Sequence, residues 1–314
     1  MITVRRYCET DEKIWNEFNY KSKNSMFMFN RNYMDYHKDR FKDHSLIFYN
    51  DDKIIALLPM CESDNVLYSH GGLTYGGFIT DSSMKQHTMN DCFEELIKYA
   101  KDNAFASIVY KCIPHIYHKI AAEEDRYSLY AYGGCITTID ASTYVNFSDI
   151  PKMPKGRKAQ ISRAKRESVE IKELIELSDY KKFIELENSV LLERHGTKAV
   201  HSGDELKLLH DRFPDNIHLY GAFKNEEMIA GTVLFEYDTV IHTQYMAAND
   251  EARTIGALDL TISTIIDKYK SEKKWLDFGI STEHGKIYLN EGLIAQKEGF
   301  GGRTGVYEIW ELRI

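Results

Sequence analysis

The chain has 314 residues, room for two ordinary domains, and its 43% hydrophobic and 28% charged residues are the make-up of a globular protein, not a disordered or fibrous one. A formal net charge of -8 argues against a nucleic-acid binder. No run approaches the roughly 18 apolar residues of a membrane span, and Met1 leads straight into a strand-like segment without a secretory signal, so the expected compartment is the cytoplasm. The five cysteines (Cys8, Cys61, Cys92, Cys112 and Cys135) stand singly, with no Cys-x-x-Cys and no paired histidine spacing. No metal is expected, and all five read as small buried hydrophobes in a reducing compartment.

In chain order, the first half opens with a strand at 2–7 and a short helix at 13–18, and Asn30 caps a helix carrying Tyr33, Met34, His37, Lys38 and Phe41. Strands at 44–50 and 53–62 flank Asp51-Asp52, a hairpin signal. A strand at 66–69 leads to His70-Gly-Gly-Leu-Thr-Tyr75-Gly-Gly77, where four glycines let backbone approach backbone or ligand and Tyr75 is a candidate substrate contact. A long helix from Ser82 or Ser83, a buried-looking strand at 107–112, a helix from Pro114 to Glu124 and a strand at 129–140 complete this half.

The second half repeats the order. It has a strand at 169–174, a helix at 179–194 stopped by Gly196, and a helix opened by the capping box Ser202-Gly-Asp-Glu205. Strands follow at 217–224, 228–237 and 239–248, then a helix from Gly256 to Lys270, a strand at 275–279, a helix to Glu298 and a strand at 306–314. The recurrence implies a duplication, with domains at 1–150 and 151–314. Between them Pro151 and Pro154 mark a linker, followed by the basic helix 155–167, where Ile161, Ala164, Ser168 and Ile171 form a narrow stripe. Arg157 falls on that stripe and reads as an anion clamp, while the basic residues on the other faces read as a solvated surface.

This element order resembles the GNAT acyltransferase fold, and in tandem it resembles the FemAB-like branch, an α/β class with mixed sheets. The most specific part is Asp277-Phe-Gly279 followed by Gly292-Leu-Ile-Ala-Gln-Lys297-Glu-Gly-Phe300-Gly301, which looks like that branch's C-terminal signature. Gln296 stands where the signature has Phe. Phe29 through Lys38 resembles the branch's first-domain helix, whose lysine helps bind substrate, and the segment from Pro154 resembles its basic helix. Two departures bear on the donor. Arg253-Thr-Ile-Gly256-Ala257-Leu258 matches the start of the acetyl-CoA pyrophosphate turn, but a large Leu258 takes a small residue's place. The helical hairpin common among tRNA-dependent members is missing.

For chemistry, the strand 239–248 borders the donor in this fold. By alternation His242 and Gln244 share one face, and Ile241, Thr243 and Tyr245 the other. His242 is the leading proton acceptor, or else a structural histidine. Asp277, in an apolar strand, needs a partner and could orient His242 or a substrate hydroxyl, or simply pair with a neighbouring backbone or basic group. Tyr288 could return a proton to the departing thiolate, and Tyr245 could touch substrate. Arg253, Gly256 and Ala257 would present the helix start to a pyrophosphate, and Lys297 would meet a phosphate or the oxyanion. Glu187 sits among apolar residues of its helix, with a salt bridge inside the second domain the expected explanation.

The resemblance implies an acyltransferase with acetyl-CoA as cosubstrate and a small-molecule or nucleotide-sugar acceptor for a cell-surface glycan. A FemAB-type aminoacyl-tRNA-dependent ligase and a non-catalytic nucleotide-sugar-binding module are the alternatives. Oligomeric state is open.

Overall fold

The computed structural model describes residues 1–282 and 287–314, with residues 194 and 195 in backbone only. The chain divides into two compact units, residues 1–140 with 306–314, and residues 141–305. The dividing point therefore falls inside a strand and not in the Pro151–Pro154 linker.

Unit 1 runs β1 (Ile2–Arg6), α1 (Glu12–Lys21), α2 (Arg31–Met34), β2 (Leu46–Asn50), β3 (Lys53–Leu58), β4 (Cys61–Ser63), β5 (Val66–Tyr68), β6 (Ile79–Thr80), α3 (Gln86–Asp102), β7 (Ser107–Lys111), α4 (Glu124–Ala131) and the start of β8 (Cys135–Asn146). β1, β2, β3 and β6 form one antiparallel sheet, its hairpin turning on Asp51 at φ 52°. β4, β5 and β7 lie side by side. The 3.6-residue period of α3 buries Met89, Phe93 and Leu96 against Phe48, Phe78 and Ile108.

Two expectations fail in unit 1. The helix expected from Pro114 is only a 3₁₀ turn at His115–Tyr117; the helix comes later, at Glu124–Ala131, so the strand begins at Cys135. Leu129 packs inward from the helix, and its buried neighbour Asp125 accepts a hydrogen bond from Tyr110 on β7, a tertiary bond that periodicity does not show. Cys8 and Cys135 are exposed, not buried.

Unit 2 continues with α5 (Lys155–Arg166), β9 (Glu170–Leu174), α6 (Leu177–His195), α7 (Gly203–Arg212), β10 (Ile217–Lys224), β11 (Glu227–Glu236), β12 (Val240–Ala248), α8 (Asp250–Ile255), α9 (Ala257–Tyr269), β13 (Trp275–Ile280), α10 (Glu291–Glu298) and β14 (Arg303–Arg313). The last residues of β14 belong to unit 1, where they pair with β7. The strand order in unit 2 is β8-β13-β12-β11-β10-β9, antiparallel except for β12 beside β13.

Caps read from the sequence hold in this unit. Ser202 and Glu205 form the capping box of α7, and Gly196 ends α6 in the left-handed conformation. One face of the sheet, with Leu234, Ile241 and Leu276, packs on α5 and α9. The opposite face packs on α6: a side chain added at Gly231 would meet Phe183 at 2.9 Å. No described helix is long and apolar enough to cross a membrane.

Candidate active site

The site forms where β12 and β13 separate. Their parallel ladder holds Val240↔Trp275, Ile241↔Leu276 and His242↔Asp277, after which the two strands part, β12 staying with β11 and β13 with β8. Both strands are irregular there. β12 bulges against β11 between Val233 and Leu234, and β13 breaks register with β8 between Asp277 and Ile280, where Gly279 takes φ +71°. That φ belongs to the left-handed region, which glycine enters without a Cβ clash.

The bulge corrects the alternation expected for β12. His242 lies opposite Phe235 and Tyr245 opposite Val233, which brings both onto the α6 face, with Gly231. Simple alternation separates them; one extra residue at Gln244 reunites them. The Tyr245 hydroxyl meets His201 Nδ1 at 2.5 Å, and His201 comes from the connection between α6 and α7.

Asp277 is fully buried and has the partners that its burial demands. Its Oδ1 accepts from Ser142 Oγ at 3.0 Å and from the Gly279 N–H at 2.8 Å, and its Oδ2 lies 3.1 Å from His242 Nδ1. A carboxylate at Nδ1 holds the ring proton there and leaves Nε2 as the acceptor. Ser142 is the residue that sequence reasoning missed. Nothing around it in β8 signals chemistry, and only the pairing of β8 with β13 brings it to Asp277.

Lys297 is 2% exposed and donates to the Gly279 and Ile280 carbonyls at 2.9 and 2.7 Å. Burial pulls its pKa down to about 8, and the negative charge of Asp277 acts in the other direction. Its ammonium thus closes the distorted end of β13 beside the Asp277–His242 pair, instead of facing a solvent-borne phosphate.

The other expected site residues lie elsewhere. Arg157 is engaged inside unit 2, in an ion pair with Asp259, in a 2.8 Å hydrogen bond to the Gln296 carbonyl and over the Phe300 ring at 4.3 Å. It straps α5 to α9 and α10, while its buried Nε has no hydrogen-bond partner among the described residues. Arg253 pairs with Asp250 at 3.0 Å on the surface of α8. Tyr288 is half-exposed and has no described contact with His242. In unit 1, Tyr75 is buried, with its hydroxyl bonded to those of Tyr117 and Tyr307, and Lys38 is exposed with Glu9 at 3.8 Å.

The expected pyrophosphate turn is not an open cradle. Asp250–Ile255 is helical, capped by Asn249, and Gly256 at φ +80° joins it to α9. The space a side chain would take at Gly256 is filled by the Gln160 carbonyl of α5, 2.6 Å from a built Cβ. Ala257 and Leu258 are buried, and the first turn of α9 carries the acidic Asp259. The close packing of α5 on Gly256 explains why a glycine stands there. Among the described residues, no group of three or more His, Cys, Asp or Glu is placed to hold a metal.

Residues 155–286 match the acetyltransferase (GNAT) domain family. No curated protein matches the sequence. The fold is similar to the crystal structure of FemX, with a TM-score of 0.69 at 12% identity over 99% of this chain and 97% of that one. It is also similar to the C-terminal domain of a putative lysylphosphatidylglycerol synthetase from Agrobacterium fabrum, with a TM-score of 0.65 at 12% identity over 97% and 92%. A third likeness is to a tandem GNAT protein from the clavulanic acid biosynthesis pathway, with a TM-score of 0.56 at 8% identity over 100% and 98%. The element order, the splayed parallel pair and these likenesses agree: the chain has a FemAB-like, tandem GNAT-type fold, within which residues 155–286 match the acetyltransferase (GNAT) domain family.

Proposed function

We propose that this protein moves an acyl group from an activated carboxyl donor to an amine or hydroxyl of a cell-envelope precursor, with His242 as the proton acceptor. The observation that carries this is the Asp277 carboxylate on His242 Nδ1, at the point where β12 and β13 part. The acceptor nitrogen or oxygen attacks the donor carbonyl carbon while its proton passes to His242 Nε2. Asp277 then faces an imidazolium, whose charge it stabilises. As the tetrahedral intermediate collapses, the carbon–sulfur or carbon–oxygen bond to the donor breaks, and the imidazolium returns the proton to the leaving group. Ser142 and Gly279 hold Asp277 in place, and the buried Lys297 offsets its charge.

Acetyl-CoA is the simplest donor, and a nucleotide-sugar the acceptor the family bias suggests. A second reading is an aminoacyl ester donor, favoured by the large Leu258 where the acetyl-CoA pyrophosphate turn has a small residue. The likeness to a lysylphosphatidylglycerol synthetase domain is in keeping with that class. The test offers the purified chain acetyl-CoA or a 3′-aminoacyl adenosine with UDP-N-acetylglucosamine, ethanolamine or phosphatidylglycerol, and follows donor consumption. One donor should be consumed, and His242→Ala should slow it about 10²–10⁴-fold with the protein still folded. Full turnover in that variant would remove the site assignment, and binding of a UDP-sugar with neither donor consumed would favour a non-catalytic module.

A further inference from the structure

Glu187 does not have the salt bridge that its sequence context leads one to expect. It is 6% exposed, and among the described residues its Oε2 has no hydrogen-bond partner. An unpaired buried carboxylate weakens a fold, and a leucine or glutamine in its place would cost less. The residue therefore calls for an explanation outside the folding of unit 2.

Its position supplies one. Tyr180, Phe183 and Ile184 give α6 its buried face, and Glu187 continues that face one turn on. Phe183 covers Gly231 on β11. The residue after Glu187, Asn188, accepts from the Ala199 N–H at 2.9 Å and so fastens the connection that carries His201 to Tyr245 on β12. Glu187 is thus on the face of α6 that turns to the sheet side where Phe183 covers Gly231, the side that also holds His242 and Tyr245. A single carboxylate is a poor metal site, but it suits one compact cation able to donate several hydrogen bonds.

We propose that Glu187 binds the primary ammonium group of a substrate, which places amines, over neutral sugars or alcohols, among the molecules this site takes. The proposal rests on the acyl-transfer reading of the same sheet face. Burial pushes the Glu187 carboxyl up to about 7, so an arriving ammonium would restore its charged form and gain an ion pair shielded from water. An aminoacyl donor's ammonium keeps its protons at Glu187, whereas an acceptor's gives one proton to the Glu187 carboxylate before its neutral nitrogen attacks and passes a second to His242.

The test uses the full chain labelled with carboxyl-¹³C glutamate, the Glu187 resonance being assigned by its loss in Glu187→Gln. Glucosamine stands for an acceptor amine and alaninamide for the amino group of an aminoacyl donor, each set against its N-acetyl form. At least one amine should move the Glu187 resonance and lower its titration midpoint by about one unit, while its N-acetyl form leaves both alone; the amine that does so identifies the source. Calorimetry should show the same amine bound at least ten-fold more weakly by Glu187→Gln. No response to either amine, an equal response to the N-acetyl forms, or equal binding by the variant would overturn the proposal. His242→Ala separates the two readings: it should abolish turnover and keep the amine response, whereas full turnover with the amine response intact would sink the His242 assignment and leave Glu187 standing.

Discussion

Two buried carboxylates, one in each unit, show how partners and not burial separate a structural acid from a functional one. Asp125 in unit 1 and Glu187 in unit 2 are 7% and 6% exposed, and burial pushes them up to about 6 and about 7. Asp125 accepts from the Tyr110 hydroxyl at 2.5 Å and from the Arg126 N–H at 2.8 Å, so its oxygens are used inside the fold. Glu187 Oε2 is used by nothing described. Unit 1 treats other buried charges as it does Asp125, pairing Arg31 with Asp35 and Asp43, and Lys23 with Glu124. Unit 2 does so with Arg157 and Asp259, but leaves Glu187 Oε2 without a partner among the described residues.

The largest expected effect sharpens this contrast on the catalytic side. Asp277→Asn keeps the shape of the site but withdraws the charge that faces the imidazolium, so turnover should fall about 10²–10⁴-fold with folding intact. If turnover holds, Asp277 belongs with Asp125 as a structural acid. The next effect lies in unit 1: Asp125→Ala leaves the Tyr110 hydroxyl without its acceptor and should cost about 2–4 kcal/mol in urea denaturation.

Glu187→Gln should do the opposite. Above pH 7 the native chain buries a charge and the variant does not, so the variant should be more stable by roughly 2–3 kcal/mol at pH 8. As pH falls from about 7 toward 4.5, folded Glu187 takes up its proton before unfolded Glu187 does, and the gap should close. Denaturation of both proteins at pH 5 and pH 8 reads this directly, and a destabilised variant at pH 8 would place Glu187 among the structural acids. The smallest effect is that of Ser142→Ala, which removes one of the described bonds to Asp277. It should cost about 1 kcal/mol and slow turnover less than Asp277→Asn does.

Most elements of unit 2 were legible because each is written in short-range pattern. The period of α9, the Ser202 capping box and the alternating strands need no distant partner to be recognised. The segment after Pro114 was misread because its apolar and aromatic residues fit helix and strand alike, and the Asp125–Tyr110 bond joins residues on different elements. In the site, His242 and Asp277 were legible as a histidine in the strand beside the donor and as an acid in an apolar strand. Tyr245 was placed on the wrong face because a bulge leaves no sequence mark at Gln244. Gly256 was found but given the wrong reason, since what approaches it is the Gln160 carbonyl.

By itself the sequence determined the order of elements, the tandem GNAT-type fold and the residue types able to move a proton, because propensity, periodicity and capping act over a few neighbouring residues. Only the tertiary structure decided which charges meet. It put Ser142 and His242 on Asp277, set Arg157 against Asp259, packed α5 onto Gly256 and left Glu187 Oε2 without a hydrogen-bond partner among the described residues. Those outcomes depend on strand register and helix packing between residues far apart in the chain, where a slip of one residue turns a side chain to the opposite face.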